Sequence, residues 1–205
     1  MAYSIEEEQE INLLKDWWKD NGKVIIVAFI LGIVGVLGWR FWQSYQANQI
    51  AEASTRYSDM VDFAQQDHQS GKADSLSQFV QAHEKSTYAV FALLDDAKKA
   101  VNRQDYSGAE KSLKQALSQS QDTILTSLAA LRLSSVQLQT GQFDTALESL
   151  NLIKGSSFGA QKALLVGDIQ LAKGDKNAAK ISFEQVVESG GALERQIAQM
   201  KLNNL

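Results

Sequence analysis

The sequence predicts an all-α protein, one transmembrane helix followed by a solenoid of helical hairpins. Three observations carry this. The 205-residue chain contains no proline, which a long all-β or loop-rich protein would need in its turns. Residues 24–39, VIIVAFILGIVGVLGW, form a run of sixteen without a charged or polar side chain. Further on, three short segments repeat one pattern at near-equal spacing, the signature of a stacked array. Composition narrows the rest. No cysteine is present, so disulfides and thiolate metal sites are excluded. A formal charge of −4 argues against a strongly electrostatic nucleic-acid binder.

The chain begins with an acidic stretch, Glu6-Glu7-Glu8-Gln9-Glu10. Ser4 and Glu7 have the spacing of a capping box, and Ile11, Leu14 and Trp18 fall on one helical face. A short amphipathic helix lying on the inner leaflet accounts for both.

The apolar run, extended by its flanks to residues 23–42, reaches the ~20 residues needed to cross ~30 Å of hydrocarbon. All four tryptophans stand at its ends: Trp17 and Trp18 before, Trp39 and Trp42 after. Indole prefers the bilayer–water interface, and 21 residues from Trp18 to Trp39 span about 31 Å as a helix. Ala51-Glu52-Ala53 is a small-x-small site of the kind signal peptidases cut. It lies a dozen residues past the apolar run, which itself exceeds the usual ~7–15 of a signal peptide. An uncleaved anchor is the better reading. Lys15, Lys19 and Lys23 precede the span, whereas only Arg40 and the distant Arg56 follow it. That bias places the amino-terminal side in the cytoplasm. The expected division is residues 1–22 as a cytoplasmic tail, 23–42 as the span and 43–205 as a repeat domain across the membrane. Within the span, Ala28 and Gly32, with Gly35 and Gly38 nearby, make a small-residue face that another transmembrane helix can approach.

After the span, residues 46–66 read as one helix with Ile50, Tyr57, Met60, Val61 and Ala64 on its apolar side. A second helix begins around Leu76 to Val80, after Gly71. Then come the repeats: Asp105-Tyr106-Ser107-Gly108-Ala109, Gly141-Gln142-Phe143-Asp144-Thr145-Ala146 and Gly174-Asp175-Lys176-Asn177-Ala178-Ala179. Ala109, Ala146 and Ala179 are 37 and 33 residues apart, close to the ~34 of tetratricopeptide repeats. The likeness extends along each unit. Twelve residues before the alanines stand Ala97, Ser134 and Gly167; four after stand Leu113, Leu150 and Phe183; seven after stand Ala116, Ile153 and Val186. Two helices that cross closely need a small residue on each, and the i+4 and i+7 positions of the second point into the stack. Glycine suits the end of the first helix and a polar residue the start of the second. Asp105 replaces the glycine in the first unit, and Lys176 replaces the turn aromatic in the last. Residues 192–205 read as a closing helix.

Enzymatic readings fail on context. Gly155-Ser156-Ser157-Phe158-Gly159 has the spacing of a nucleophile elbow, which needs a strand before it and a histidine later in the chain. It lies between predicted helices, and both histidines, His68 and His83, come earlier. Two histidines fifteen residues apart do not make a zinc site. Asp95-Asp96 reads as a solvated helix face. After Trp42 the charges nearly balance, 16 basic against 18 acidic and interspersed, leaving no basic stripe for nucleic acid. No catalytic, cofactor or metal-binding residue is assigned.

The whole layout resembles the YfgM-like family, ancillary subunits of the bacterial Sec translocon. The residues that carry it are the acidic start, Leu13-Leu14-Lys15-Asp16-Trp17-Trp18-Lys19-Asp20-Asn21-Gly22, the single span, and Tyr88-Ala89 opening the repeats. The resemblance implies an inner-membrane protein with a periplasmic tetratricopeptide-like domain. It implies association with the SecYEG channel and with the membrane-anchored chaperone PpiD, and a part in handing unfolded exported proteins to chaperones. It brings no catalytic residues. In tetratricopeptide arrays the first helix of each unit lines the concave side. By that resemblance Phe91, Leu94, Leu128, Leu131, Leu164, Asp168 and Leu171 are the candidate groove, and Ala28, Gly32 and Gly35 the candidate span contacts. The alternative is a membrane regulator whose cytoplasmic tail binds a stress-signalling protein.

Overall fold

A computed structural model describes residues 5–65, 72–84 and 86–205, with side chains described from residue 11 onward except at 60, 62–75 and 85. Among the described residues the elements are all helices: α1 (Ile5–Gln65), α2 (Lys72–Ala82), α3 (Thr87–Asn102), α4 (Tyr106–Gln119), α5 (Thr123–Gln139), α6 (Phe143–Leu150), α7 (Gly159–Ala172), α8 (Lys176–Ser189) and α9 (Ala192–Leu202). They divide into two compact units, residues 1–52 and 53–205. The Ser4–Glu7 capping pair, His68, and the side chains of Met60 and Ala64 lie outside the described residues.

The first unit is α1 up to Glu52. One helix passes through the tail and the apolar run, so the separate amphipathic helix expected before the span is not a distinct element. The Asn21-Gly22 pair does not break it. Asn21 Nδ2 donates back to the Trp17 carbonyl at 3.1 Å. The Trp18 indole lies over Gly22, where a Cβ would come within 3.2 Å of Nε1. The apolar side chains from Val24 to Trp42 are exposed. Such a surface is stable only in an apolar solvent, and this helix is long and apolar enough to cross a membrane. Ile50, expected on a packed side, is also exposed.

In the second unit each hairpin is α3–α4, α5–α6 or α7–α8. The repeat positions behave as the spacing predicts. Ala97, Ser134 and Gly167 are buried, as are Ala109, Ala146 and Ala179, and Leu113, Leu150, Phe183, Ala116, Ile153 and Val186 are all buried too. Two of the small residues show how the close approach is made. Ser134 Oγ donates to the Ala146 carbonyl at 2.8 Å. Gly167 gives its space to the Phe183 ring: a Cβ there would lie 2.7 Å from Cδ1 and 2.8 Å from Cζ.

The turns inside the hairpins share one geometry. Asp105, Gln142 and Asp175 N–H donate to the Ala100, Gln137 and Gln170 carbonyls, while Gln104, Gly141 and Gly174 N–H donate to Val101, Leu138 and Leu171. This paired pattern is a Schellman motif, whose next-to-last residue is left-handed. Gly141 and Gly174 sit at φ 75° and 87°, and in the first hairpin that place is held by Gln104 at φ 62°. Gln104, not Asp105, therefore stands in for the turn glycine. Asp105 instead caps α4, its Oδ1 accepting from Gly108 N–H at 2.9 Å, as Asp175 caps α8 through Ala178 N–H at 2.9 Å. A non-glycine residue in this conformation is destabilised by roughly 1–2 kcal/mol. Gln104→Gly should therefore raise stability by about 0.5–1 kcal/mol after the added freedom of glycine in the unfolded chain. Thermal melts of the two proteins check this.

Three buried clusters run along the stack. The first holds α3, α4 and part of α5, with Tyr57 of α1 and Phe79 and Val80 of α2 packed on it. The second joins α5, α6 and α7, and the third joins α7, α8 and α9. Tyr57 of α1 touches both neighbours there, its ring centroid 6.4 Å from that of Phe79 and 5.9 Å from that of Tyr88.

Candidate functional site

The candidate groove residues lie on the first helices of the units, α3, α5 and α7, and repeat in register. Fifteen residues before Ala109, Ala146 and Ala179 stand Leu94, Leu131 and Leu164; eight before stand Val101, Leu138 and Leu171. The structure separates them. Leu94 is only 4 % exposed and belongs to the cluster that holds Leu125, Leu128 and Ala129 of α5. Leu131 is half-buried in the second cluster with Leu165, Val166 and Ile169 of α7. Leu164 is half-buried in the third with Ala198, Leu202 and Leu205. This column is the contact between successive units, and Leu94 is core rather than groove. Leu128 is half-buried against the first cluster. Phe91 and Leu171 are exposed, at 39 % and 37 %. Phe91 is held edge-on by Tyr88, ring centroids 6.4 Å apart.

Asp168 is not a free carboxylate. Its Oδ1 accepts from Lys201 Nζ of α9 at 2.6 Å. Gln161 Nε2 donates to Glu194 Oε1 of α9 at 2.9 Å, so α9 is tied to α7 at two points. Asp96, expected on a solvated face, accepts from Ser112 Oγ of α4 at 2.6 Å, while Asp95 pairs with Lys99.

A buried polar network had no sign in the sequence. Gln137 of α5 is fully buried. Its Oε1 accepts from Ser149 Oγ of α6 at 2.7 Å, and its Nε2 donates to Glu110 Oε1 of α4 at 3.4 Å. Glu110 Oε2 also accepts from Gln142 Nε2 at 3.2 Å. Its Oε1 lies 2.8 Å from Lys114 Nζ. The hydrogen bond from Lys114, then those from Gln142 and Gln137, hold the Glu110 carboxyl below the ordinary glutamate value of 4.5 against the opposing effect of burial. A lowered folded-state value means the group's contribution is present above its unfolded value and is lost as pH falls through the folded one. Glu110→Gln should flatten the stability curve below about pH 4.5 relative to wild type, measured by urea midpoints across that range. A glutamine in an apolar helix face gives no sign that its partners lie on two other helices.

In the apolar run, Gly32, Gly35 and Gly38 have nothing within 4 Å of where a Cβ would stand. Val34, Gly35, Gly38, Trp39 and Trp42 line an open notch of about 450 Å³. Trp39 and Trp42 contact each other at one end of it, ring centroids 5.4 Å apart. Ala28, Gly32 and Gly35 recur at four and three residues and so share one helical face. Gly155 to Phe158 lie in the connection between α6 and α7 and Gly159 opens α7, with Ser156 and Ser157 exposed. That setting is not the strand-turn-helix that aims a nucleophile. Among the described residues no group of three or more His, Cys, Asp or Glu side chains converges as metal ligands do.

Comparison with known proteins follows the same lines. Residues 15–205 match the family model of the tetratricopeptide repeat-like domain. The chain is 65 % identical to the ancillary SecYEG translocon subunit of Haemophilus influenzae, over the full length of both. It is 51 % identical to the protein of that name from Aggregatibacter actinomycetemcomitans, again over the full length of both. With the one from Escherichia coli it shares 36 % identity over 97 % of this chain and 96 % of the relative. No solved structure matches.

Proposed function

The chain belongs to the tetratricopeptide repeat-like family of ancillary SecYEG translocon subunits, and from that premise we propose that it is a membrane-anchored, non-enzymatic adaptor at the Sec channel. Residues 1–22 lie in the cytoplasm, 23–42 cross the inner membrane, and 43–205 form a periplasmic domain. The bias of Lys15, Lys19 and Lys23 over Arg40 supports this orientation. The span docks on the channel through Ala28, Gly32 and Gly35. The repeat domain engages a membrane-anchored chaperone of the PpiD kind and passes unfolded exported chains to it. Of the apolar groove candidates, Phe91 and Leu171 are the exposed contacts for such chains, while Leu128 is half-buried.

The observation that carries the reading is the small-residue face of the span, Ala28, Gly32 and Gly35. Association of membrane helices has little hydrophobic driving force and depends on close packing at small residues. A face of Ala28, Gly32 and Gly35, with no side chain larger than a methyl, suits the close approach of a second transmembrane helix.

The test is site-specific photo-crosslinking in native membranes from Ile33, Phe91 and Leu171. Adducts between Ile33 and channel subunits, and between Phe91 or Leu171 and a chaperone or exported chains, are the expected result. Gly32→Ile with Gly35→Ile should reduce co-purification of the channel several-fold while leaving the melting temperature of the repeat domain unchanged. Should the channel co-purify normally with the double variant and with a chain lacking residues 2–20, while that deletion abolishes a signalling response, the regulator reading replaces this one.

A further inference from the structure

We propose that Lys19 and Lys23, with Lys15 one turn behind them, bind the phosphate of an anionic phospholipid at the rim of the span. The helix thereby selects an acidic lipid as its neighbour. Lys15, Lys19 and Lys23 recur every four residues and so lie along one face of α1. All three are exposed. Among the described residues none of them is in an ion pair. Helix neighbours four residues apart stand about 5–6 Å from each other, a spacing at which one phosphate can accept from both ammonium groups. Asp16 and Asp20 follow Lys15 and Lys19 by one residue, which turns them about 100° round the helix. They border the lysine stripe and do not lie on it.

The depth of the stripe identifies the occupant. Lys23 is followed directly by Val24, the first residue of the apolar run. Lys19 stands five residues before Val24, about 8 Å along the helix. With the run in hydrocarbon, both ammonium groups fall in the headgroup layer, about 5–8 Å thick on each side. Trp17 and Trp18, both about half exposed, mark the same level, since indole settles at that interface. A protein segment would have to leave water to reach Lys23, whereas lipid phosphate is already there. A zwitterionic headgroup brings its own cation, which competes with the lysines. An anionic one does not, and each lysine near such a surface favours it by about fivefold. The acidic run does not cancel this: Glu10 is nine residues before Lys19, about 14 Å along the helix, beyond the ~10 Å over which charge acts at 0.1 M salt.

The inference rests on residues 23–42 being a membrane span, and the experiment separates the two. The full chain is reconstituted in phosphatidylcholine vesicles carrying a trace of spin-labelled phosphatidylglycerol or of spin-labelled phosphatidylcholine. The fraction of label immobilised by the protein is compared. Phosphatidylglycerol should be preferred by about fivefold. Lys19→Gln with Lys23→Gln should remove the preference, and Lys19→Arg with Lys23→Arg should keep it. Asp20→Asn should strengthen it, by taking away the neighbouring negative charge. Resistance of the same vesicles to alkaline extraction reports the span itself. Stable insertion with equal immobilisation of the two lipids, or a preference that survives the double glutamine variant, overturns the lipid site and leaves the span standing. Failure of the wild-type chain to insert overturns both.

Discussion

Gly167→Ala should destabilise the repeat domain by about 2 kcal/mol, in the range for forcing extra carbon into a packed core. For a domain of this size that is a fall of ~4–8 °C in melting temperature. On an isolated helix the same change would stabilise by roughly 1 kcal/mol, because alanine has the higher propensity. The sign reverses because the Phe183 ring, itself fully buried, occupies the space where the methyl would go. Phe183→Ala alone should cost about 3–5 kcal/mol. When Gly167→Ala is already present the loss should be smaller, since the two substitutions relieve each other. A double-mutant cycle by thermal melting should give a coupling energy of at least ~1 kcal/mol between residues in such direct contact. Additive effects would mean that α7 and α8 do not meet at this point.

Gln137→Leu should cost about 1–3 kcal/mol even though the side chain's volume is nearly kept, because the buried Ser149 hydroxyl loses its acceptor. Gln137→Ala should cost more, adding a cavity between α4, α5 and α6. The informative variant is Gln137→Leu with Ser149→Ala. Removing both partners of a buried hydrogen bond leaves nothing unsatisfied, so most of the stability should return. Urea denaturation of the three variants checks the order: the double variant nearest wild type, then Gln137→Leu, then Gln137→Ala. If the double variant were the least stable, the network would hold the units together through Glu110 rather than through Ser149.

The two sets of residues also mark how far the chain can be read before its structure. The span is legible because membrane insertion depends on the local quantity a sequence displays, the length of an uncharged apolar run. The hairpins are legible because a small residue and an apolar residue at fixed offsets are needed wherever two neighbouring helices cross. The first turn is misread by one residue. The left-handed position is set by which N–H closes the Schellman bonds, and Gln104 carries no compositional sign of it.

By itself the sequence determined the all-helical class, the apolar run long enough to cross a membrane, the three hairpin turns and the small and apolar residues buried inside each hairpin, since all of these follow from patterns local to the chain. Only the tertiary structure decided what lies between hairpins. Leu94, Leu131 and Leu164 share one periodic position, yet the first is core and the other two are half-buried. Asp168 is bound by Lys201, and Gln137 reaches two other helices. Helical periodicity states which face a residue is on. Whether that face meets the next unit or the solvent depends on how the units stack, and the residues that meet there are drawn from helices far apart in the chain.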